Sequence, residues 1–220
     1  NVQFPADKQL VADWTATGNQ EAVDRLLVDS EVDQVLALGI ISSQVISTKG
    51  DLPKPGYGAF VTDREIQKIP EKEIERQVSE TETESIAVSG VENLNYTVLG
   101  VDTPREFSTF QQVAPHDHVT VLYSAALEAI FPEIDQRIQD AVRSFGYAQS
   151  ATVPVGTSVD DVLSAIPAET DAVYVSSLPQ FGRQDMERLA DALIDRKLPS
   201  FSQTGRPEVE LGLMATLGQA

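Results

Sequence analysis

Hydroxyl side chains recur in this chain where runs of β-forming residues stop. Val35 to Leu38 gives way to Gly39 and then Ser42-Ser43, and Ala59 to Val61 gives way to Thr62-Asp63. Val119 to Tyr123 is followed by Ser124, Ala172 to Val175 by Ser176-Ser177, and the segment opened by Leu198-Pro199 ends in Ser202-Gln203-Thr204. Small hydroxyl groups beside helix N-termini, together with the backbone N–H groups there, can hydrogen-bond a polar or anionic ligand. The same residues cap helices when no ligand is involved. The candidate ligand-binding set is therefore Ser42, Ser43, Thr62, Asp63, Ser124, Ser176, Ser177 and Ser202.

Other chemistry is sparse. The sequence holds no Gly-x-Ser-x-Gly elbow, no Gly-x-x-x-x-Gly-Lys-Ser/Thr loop and no His-Glu-x-x-His helix. There is no cysteine, which removes disulfides, thiolate catalysis and cysteine-held metals. The two histidines, His116 and His118, have strand spacing suited to two metal ligands, but no third ligand is evident and they read as linker. With 34 acidic residues, carboxylate pairs carry no diagnostic weight. No catalytic residue, metal or cofactor is expected. The net charge of −18 argues against nucleic acid and anionic membrane surfaces as partners. No apolar run approaches the ~18 residues of a spanning helix, so membrane insertion of this chain is not expected.

Strands and helices alternate, the pattern of a mainly parallel α/β sheet. The clearest unit runs from Asp171 to Gly205. A short apolar strand, a helix with Met186, Leu189, Ala190, Leu193 and Ile194 at helical spacing, and a second strand form a βαβ crossover. A weaker echo starts at Asp33 and ends near Val61, suggesting two similar halves. Asn19 is a candidate cap for the first helix, and Gly56-Tyr57-Gly58 reads as a turn. Leu127 to Phe145 reads as the longest helix, bent or opened by Pro132. Residues 63–89 are acidic, with sparse apolar positions, and read as a solvated, partly helical excursion or mobile loop. The expected division is an N-terminal α/β lobe over 1–115 containing that excursion, and a C-terminal α/β lobe over 116–220. The last residues are candidates to return to the first lobe.

Seven short segments occur in a telling order: Val32 to Gly39, Ala59 to Asp63, Ser89 to Leu94, Val119 to Tyr123, Asp171 to Val175, Leu198 to Phe201 and Gly212 to Gly218. In this order the chain resembles the ABC-transporter substrate-binding-like proteins, which have the type I periplasmic binding protein fold. Phe4 to Trp14, Gly50 to Pro55 and Arg196 to Phe201 carry a further likeness to the substrate-binding-like region of TolC-type outer-membrane efflux proteins. The resemblance implies two Rossmann-like lobes with parallel sheets, lacking the family's opening strand and helix and its closing helix. It implies a non-enzymatic domain of a Gram-negative periplasm or cell envelope, closing on a small polar ligand and linked to transporter or efflux components. The chain departs from the family pattern at Ser176-Ser177-Leu178 and Ser124-Ala125-Ala126, where polar Thr-Asp-Asn and an Asn-containing loop are usual. A protein-interaction module with a degenerate cleft, contacting partners through Glu71 to Glu84, is the alternative.

Overall fold

In a computed structural model, the described residues are 6–12, 15–61, 64–79, 83–98, 103–147 and 149–217. The chain forms two compact units, Asn1–Gly100 and Val101–Ala220. The expected lobe boundary lay near residue 115. The helix α4 described below instead packs in the second unit, because its Phe107 and Phe110 are buried with Tyr174 and Phe201.

The first unit contains α1 (Ala16–Val28), β1 (Val35–Ala37), α2 (Ile40–Ser47), β2 (Gly56–Val61), α3 (Arg64–Gln67), β3 (Glu71–Gln77), β4 (Thr83–Ser89) and β5 (Leu94–Val98). Thr15, not Asn19, caps α1, its side chain accepting from the Gly18 amide at 3.0 Å. Asn19 lies inside the helix and is buried. Strands β1, β2 and β5 form a parallel sheet in that order, with Val35, Gly56 and Leu94 in one row. Val35, Ala37 and Leu94 pack with Val23 and Leu27 of α1 and Val45 and Ile46 of α2. On the opposite face Leu36, Tyr57 and Phe60 are 37, 39 and 44 % exposed.

Gly56-Tyr57-Gly58 is the start of β2 rather than a turn. A Cβ at Gly56 would sit 2.5 Å from Leu52 Cδ1 and 2.9 Å from Ile46 Cδ1, so glycine is what lets α2 and the loop after it close on the strand. Residues 64–89 are mostly a β-ribbon, with helix confined to α3. β3 and β4 pair antiparallel from Glu71↔Ser89 to Gln77↔Thr83. The expectation of a partly helical excursion or mobile loop is corrected to paired strands: glutamates at 71, 73 and 75 alternate with Lys72, Ile74 and Arg76, a period of two. At its base the Gly90 amide donates to Pro70 O at 2.6 Å, and a Cβ there would lie 2.8 Å from the Pro70 carbonyl carbon.

The second unit contains α4 (Thr103–Val113), β6 (His118–Ser124), α5 (Ile134–Ser144), β7 (Gln149–Val155), α6 (Val159–Ala165), β8 (Ala172–Val175), α7 (Arg183–Asp195), β9 (Ser200–Ser202), α8 (Arg206–Val209) and β10 (Ala215–Thr216). Its sheet is parallel, in the order β10-β9-β8-β6-β7. Both faces are covered, as an all-parallel sheet requires. Leu122, Val173 and Val175 meet Val162 of α6 and Leu189 and Leu193 of α7. Val121, Tyr174 and Phe201 meet Phe107 and Phe110 of α4 and Val142 of α5. The single long helix expected from Leu127 is divided: a 3-10 turn at Ala125–Leu127 is followed by turns through Pro132, and α5 starts only at Ile134. Proline lacks the N–H an α-helix interior needs, so the apolar spacing continues across a break.

Candidate functional site

At the carboxyl edge of the second sheet, Leu122, Val175 and Ser202 form one row across β6, β8 and β9. Ser124 ends β6, and Ser176 and Ser177 follow β8, so four predicted hydroxyl residues converge at the ends of three adjacent strands. Open α/β sheets bind ligands at this edge. The four differ in availability. Ser202 is fully buried, and its Oγ donates to Glu208 Oε2 at 2.6 Å and accepts from the Gly205 amide at 3.0 Å. Ser124 is 4 % exposed. Ser176 is half-buried, and its amide donates to Leu122 O at 2.9 Å. Ser177 is exposed.

Three further polar groups sit at this edge. Thr157 and Thr204 are exposed in the loops after β7 and β9. Gln180 donates from Nε2 to Val155 O at 2.9 Å, while its Oε1 is buried without a partner among the described atoms. Burial raises the Glu208 carboxyl above its ordinary value, partly offset by side-chain hydrogen bonds from Ser202 and Thr204.

In the first unit, Ser42 and Ser43 lie in α2, which begins after Gly39 at φ 105°. Ser42 Oγ bonds back to Leu38 O at 2.7 Å. Ser42 also borders a cavity of about 740 Å³, lined by apolar Leu10, Val11, Leu26, Leu36 and Leu38 and by polar Lys8, Gln9, Asn19, Glu31, Asp33 and Gln34. Ser43 is fully buried: its Oγ donates to Ala37 O at 3.3 Å and accepts from the Phe60 amide at 3.0 Å. It ties α2 to β1 and β2. Thr62 and Asp63 lie outside the described residues.

A cavity of about 910 Å³ opens at the other end of the second sheet, bordered by Phe107, Gln111, His116, His118, Tyr147 and Asp171. None of the predicted serines lines it. His116 is a core residue rather than an exposed linker residue, 6 % exposed and packed against Phe110 and Tyr147. Its Nδ1 donates to Ala114 O at 2.6 Å, so this nitrogen carries the proton. Burial pushes the Tyr147 hydroxyl up to about 12. Among the described residues no three His, Cys, Asp or Glu side chains are grouped to hold a metal. No helix there is long and apolar enough to cross a membrane.

No protein-family model matches the chain, and no curated protein sequence matches it. Solved structures do. The ABC domain in complex with L-Trp from Streptococcus pneumonia is 14 % identical, with a TM-score of 0.63 over 92 % of this chain. A conserved domain protein from Vibrio cholerae O1 biovar El Tor is 16 % identical, with a TM-score of 0.59 over 93 % of this chain. The chain spans 65 % and 62 % of the lengths of these two proteins. At such identities the likeness is one of fold. The fold is two Rossmann-like α/β units with parallel sheets, shared with these solved structures.

Proposed function

We propose that the chain is a non-enzymatic substrate-binding domain that takes a small polar ligand on its strand-end loops and serves a transport or efflux system of a Gram-negative envelope. The observation that carries this reading is the convergence of Ser124, Ser176, Ser177 and Ser202 at the carboxyl ends of three adjacent parallel strands. Of these, Ser176 and Ser177 have side chains reachable from solvent and supply the direct contacts. Ser124 and Ser202 shape the floor beneath them. Within the first unit, Ser42, Thr62 and Asp63 are the proposed ligand contacts, with Ser43 holding α2 in place. Similarity to a fold that holds L-Trp in one solved structure makes amino acids the first ligands to test.

A thermal-shift screen of amino acids, sugars, nucleosides and short peptides tests this. A ligand at about 100 times its Kd adds about 2.7 kcal/mol of stability. Stabilisation that disappears in Ser177→Ala supports the reading. No stabilisation by any class overturns it.

A second reading is an interaction module of a TolC-type efflux system with a degenerate cleft. Two observations favour it: the hydroxyls of Ser43 and Ser202 are spent inside the fold, and the β3–β4 ribbon stands exposed. Capture of an envelope partner by the parent chain, lost when residues 72–88 are replaced by a short glycine link, would establish it.

A further inference from the structure

Every residue of β3 is exposed, and β4 is exposed or half-buried until Ser89. The ribbon is a two-stranded sheet among the described residues, so each strand has one outer edge without a neighbouring strand. A hairpin of two strands is marginal in water by itself, and an open edge invites another strand.

Residues directly opposite in an antiparallel pair point to the same face. One face of the ribbon carries the pairs Lys72/Val88, Ile74/Ile86 and Arg76/Glu84, and the other carries Glu71, Glu73 and Glu75 opposite Ser89, Ala87 and Ser85. Ile74 is 41 % exposed in spite of this pairing.

The two edges are not equivalent. Two copies related by a two-fold axis normal to the ribbon can join edge to edge only in registers that pair residues of the same parity. For β3 centred on Ile74, Lys72 falls opposite Arg76 and Glu73 opposite Glu75. Moving the centre to residue 73 or 75 sets a glutamate opposite itself. Like charges directly opposite are destabilising, so β3 is guarded against its own copy. For β4 centred on Ile86, the pairs are Thr83 with Ser89, Glu84 with Val88, Ser85 with Ala87, and Ile86 with itself. All seven residues pair and no like charges meet. The joined ribbons then carry a continuous stripe, Ile74-Ile86-Ile86-Ile74, across four strands. The row beside it reads Lys72, Val88, Glu84, Arg76, alternating in sign where charged.

We propose that β4 is a self-association edge, through which a second copy of this chain adds antiparallel about Ile86 to form a four-stranded sheet. The contact area of one ribbon edge is small and the chain carries a net charge of −18, so the association is weak and strengthens with salt. This is independent of ligand binding at the serine loops.

The chain lacks cysteine, which provides a direct test. In Ile86→Cys the two sulfurs of a dimer lie opposite one another, with Cα atoms about 4.5–5.5 Å apart, inside the range a disulfide spans. In Ile74→Cys they are separated by three strand spacings, roughly 14 Å. Under mild oxidation Ile86→Cys should form covalent dimers about ten times faster than Ile74→Cys, with unchanged far-UV circular dichroism in both. Sedimentation velocity of the parent chain should show a concentration-dependent dimer that Ile86→Lys abolishes, by setting like charges on the axis. Equal cross-linking of the two cysteine variants, a parent monomer at all concentrations, or a dimer that survives Ile86→Lys would each overturn the proposal.

Discussion

Ser202 Oγ donates a hydrogen bond to Glu208 Oε2 across 2.6 Å, both side chains being buried at the carboxyl edge of the second sheet. The contact joins β9 to α8 and fixes the loop that carries Thr204. Burial raises the Glu208 carboxyl, so ionising it costs the folded state more than the unfolded chain. Stability from this group is complete below the unfolded carboxylate value and falls as pH rises through the raised folded value. Glu208→Gln should therefore melt a few degrees above the parent at pH 7, with the gap closing as pH drops below the ordinary carboxylate range. Calorimetry across pH measures this, and a variant that melts lower at pH 7 would show the charged carboxylate to be net favourable.

In the second core, the Tyr174 hydroxyl donates to Glu106 Oε2 beneath stacked Phe107. Burial first, and Glu106 second, hold the Tyr174 hydroxyl well above its ordinary value, so it stays a donor at any working pH. Tyr174→Phe removes that donor from a buried carboxylate. The expected loss is about 1–3 kcal/mol in urea unfolding, substantially recovered in Tyr174→Phe/Glu106→Leu, where no buried acid remains.

Ser43 and Ser177 should separate scaffold from ligand site. Ser43→Ala strips the Phe60 amide of its acceptor and is expected to cost about 1–3 kcal/mol of stability. Ser177→Ala alters an exposed hydroxyl and should change stability by no more than about 0.5 kcal/mol. The order reverses for the affinity of any ligand found by screening. Chemical denaturation and isothermal titration on the same two variants give both readouts.

Replacing residues 72–88 with a short glycine link should leave the melting temperature within a few degrees of the parent. Val23, Leu27, Val35, Val45, Ile46 and Leu94, which make the first core, all lie outside that span. A large drop would show the ribbon to be part of that core.

The second unit was the more legible from sequence because both of its sheet faces are buried. Ala172 to Val175 is a continuous apolar run, and the strand has those bounds. Of the stripe expected on α7, Met186, Leu189, Ala190 and Leu193 form the buried face, but Ile194 falls outside it and is 58 % exposed. Elements set by pairing or by one steric contact were harder to see. Glycines 56 and 58 have the residue type of a turn, but both lie in β2, with Leu52 and Ile46 pressed against Gly56, and Ser43 and Tyr96 against Gly58. In the acidic excursion, charge density masked a period of two. At the candidate site the loops were legible as loops, but nothing in residue type distinguishes Ser177, exposed, from Ser202, whose hydroxyl is engaged on both sides. That distinction depends on Gly205 and Glu208 folding back, a matter of tertiary geometry.

The contrast between a three-stranded sheet with Leu36, Tyr57 and Phe60 bare and a five-stranded sheet sheathed by helices has a consequence for cooperativity. Backbone amides with few apolar layers above them open at lower free energy. Amides of β1 and β2 should exchange with deuterium well before those of β6 and β8. Denaturation should accordingly proceed in two steps, with the second unit retaining its structure after the first has opened.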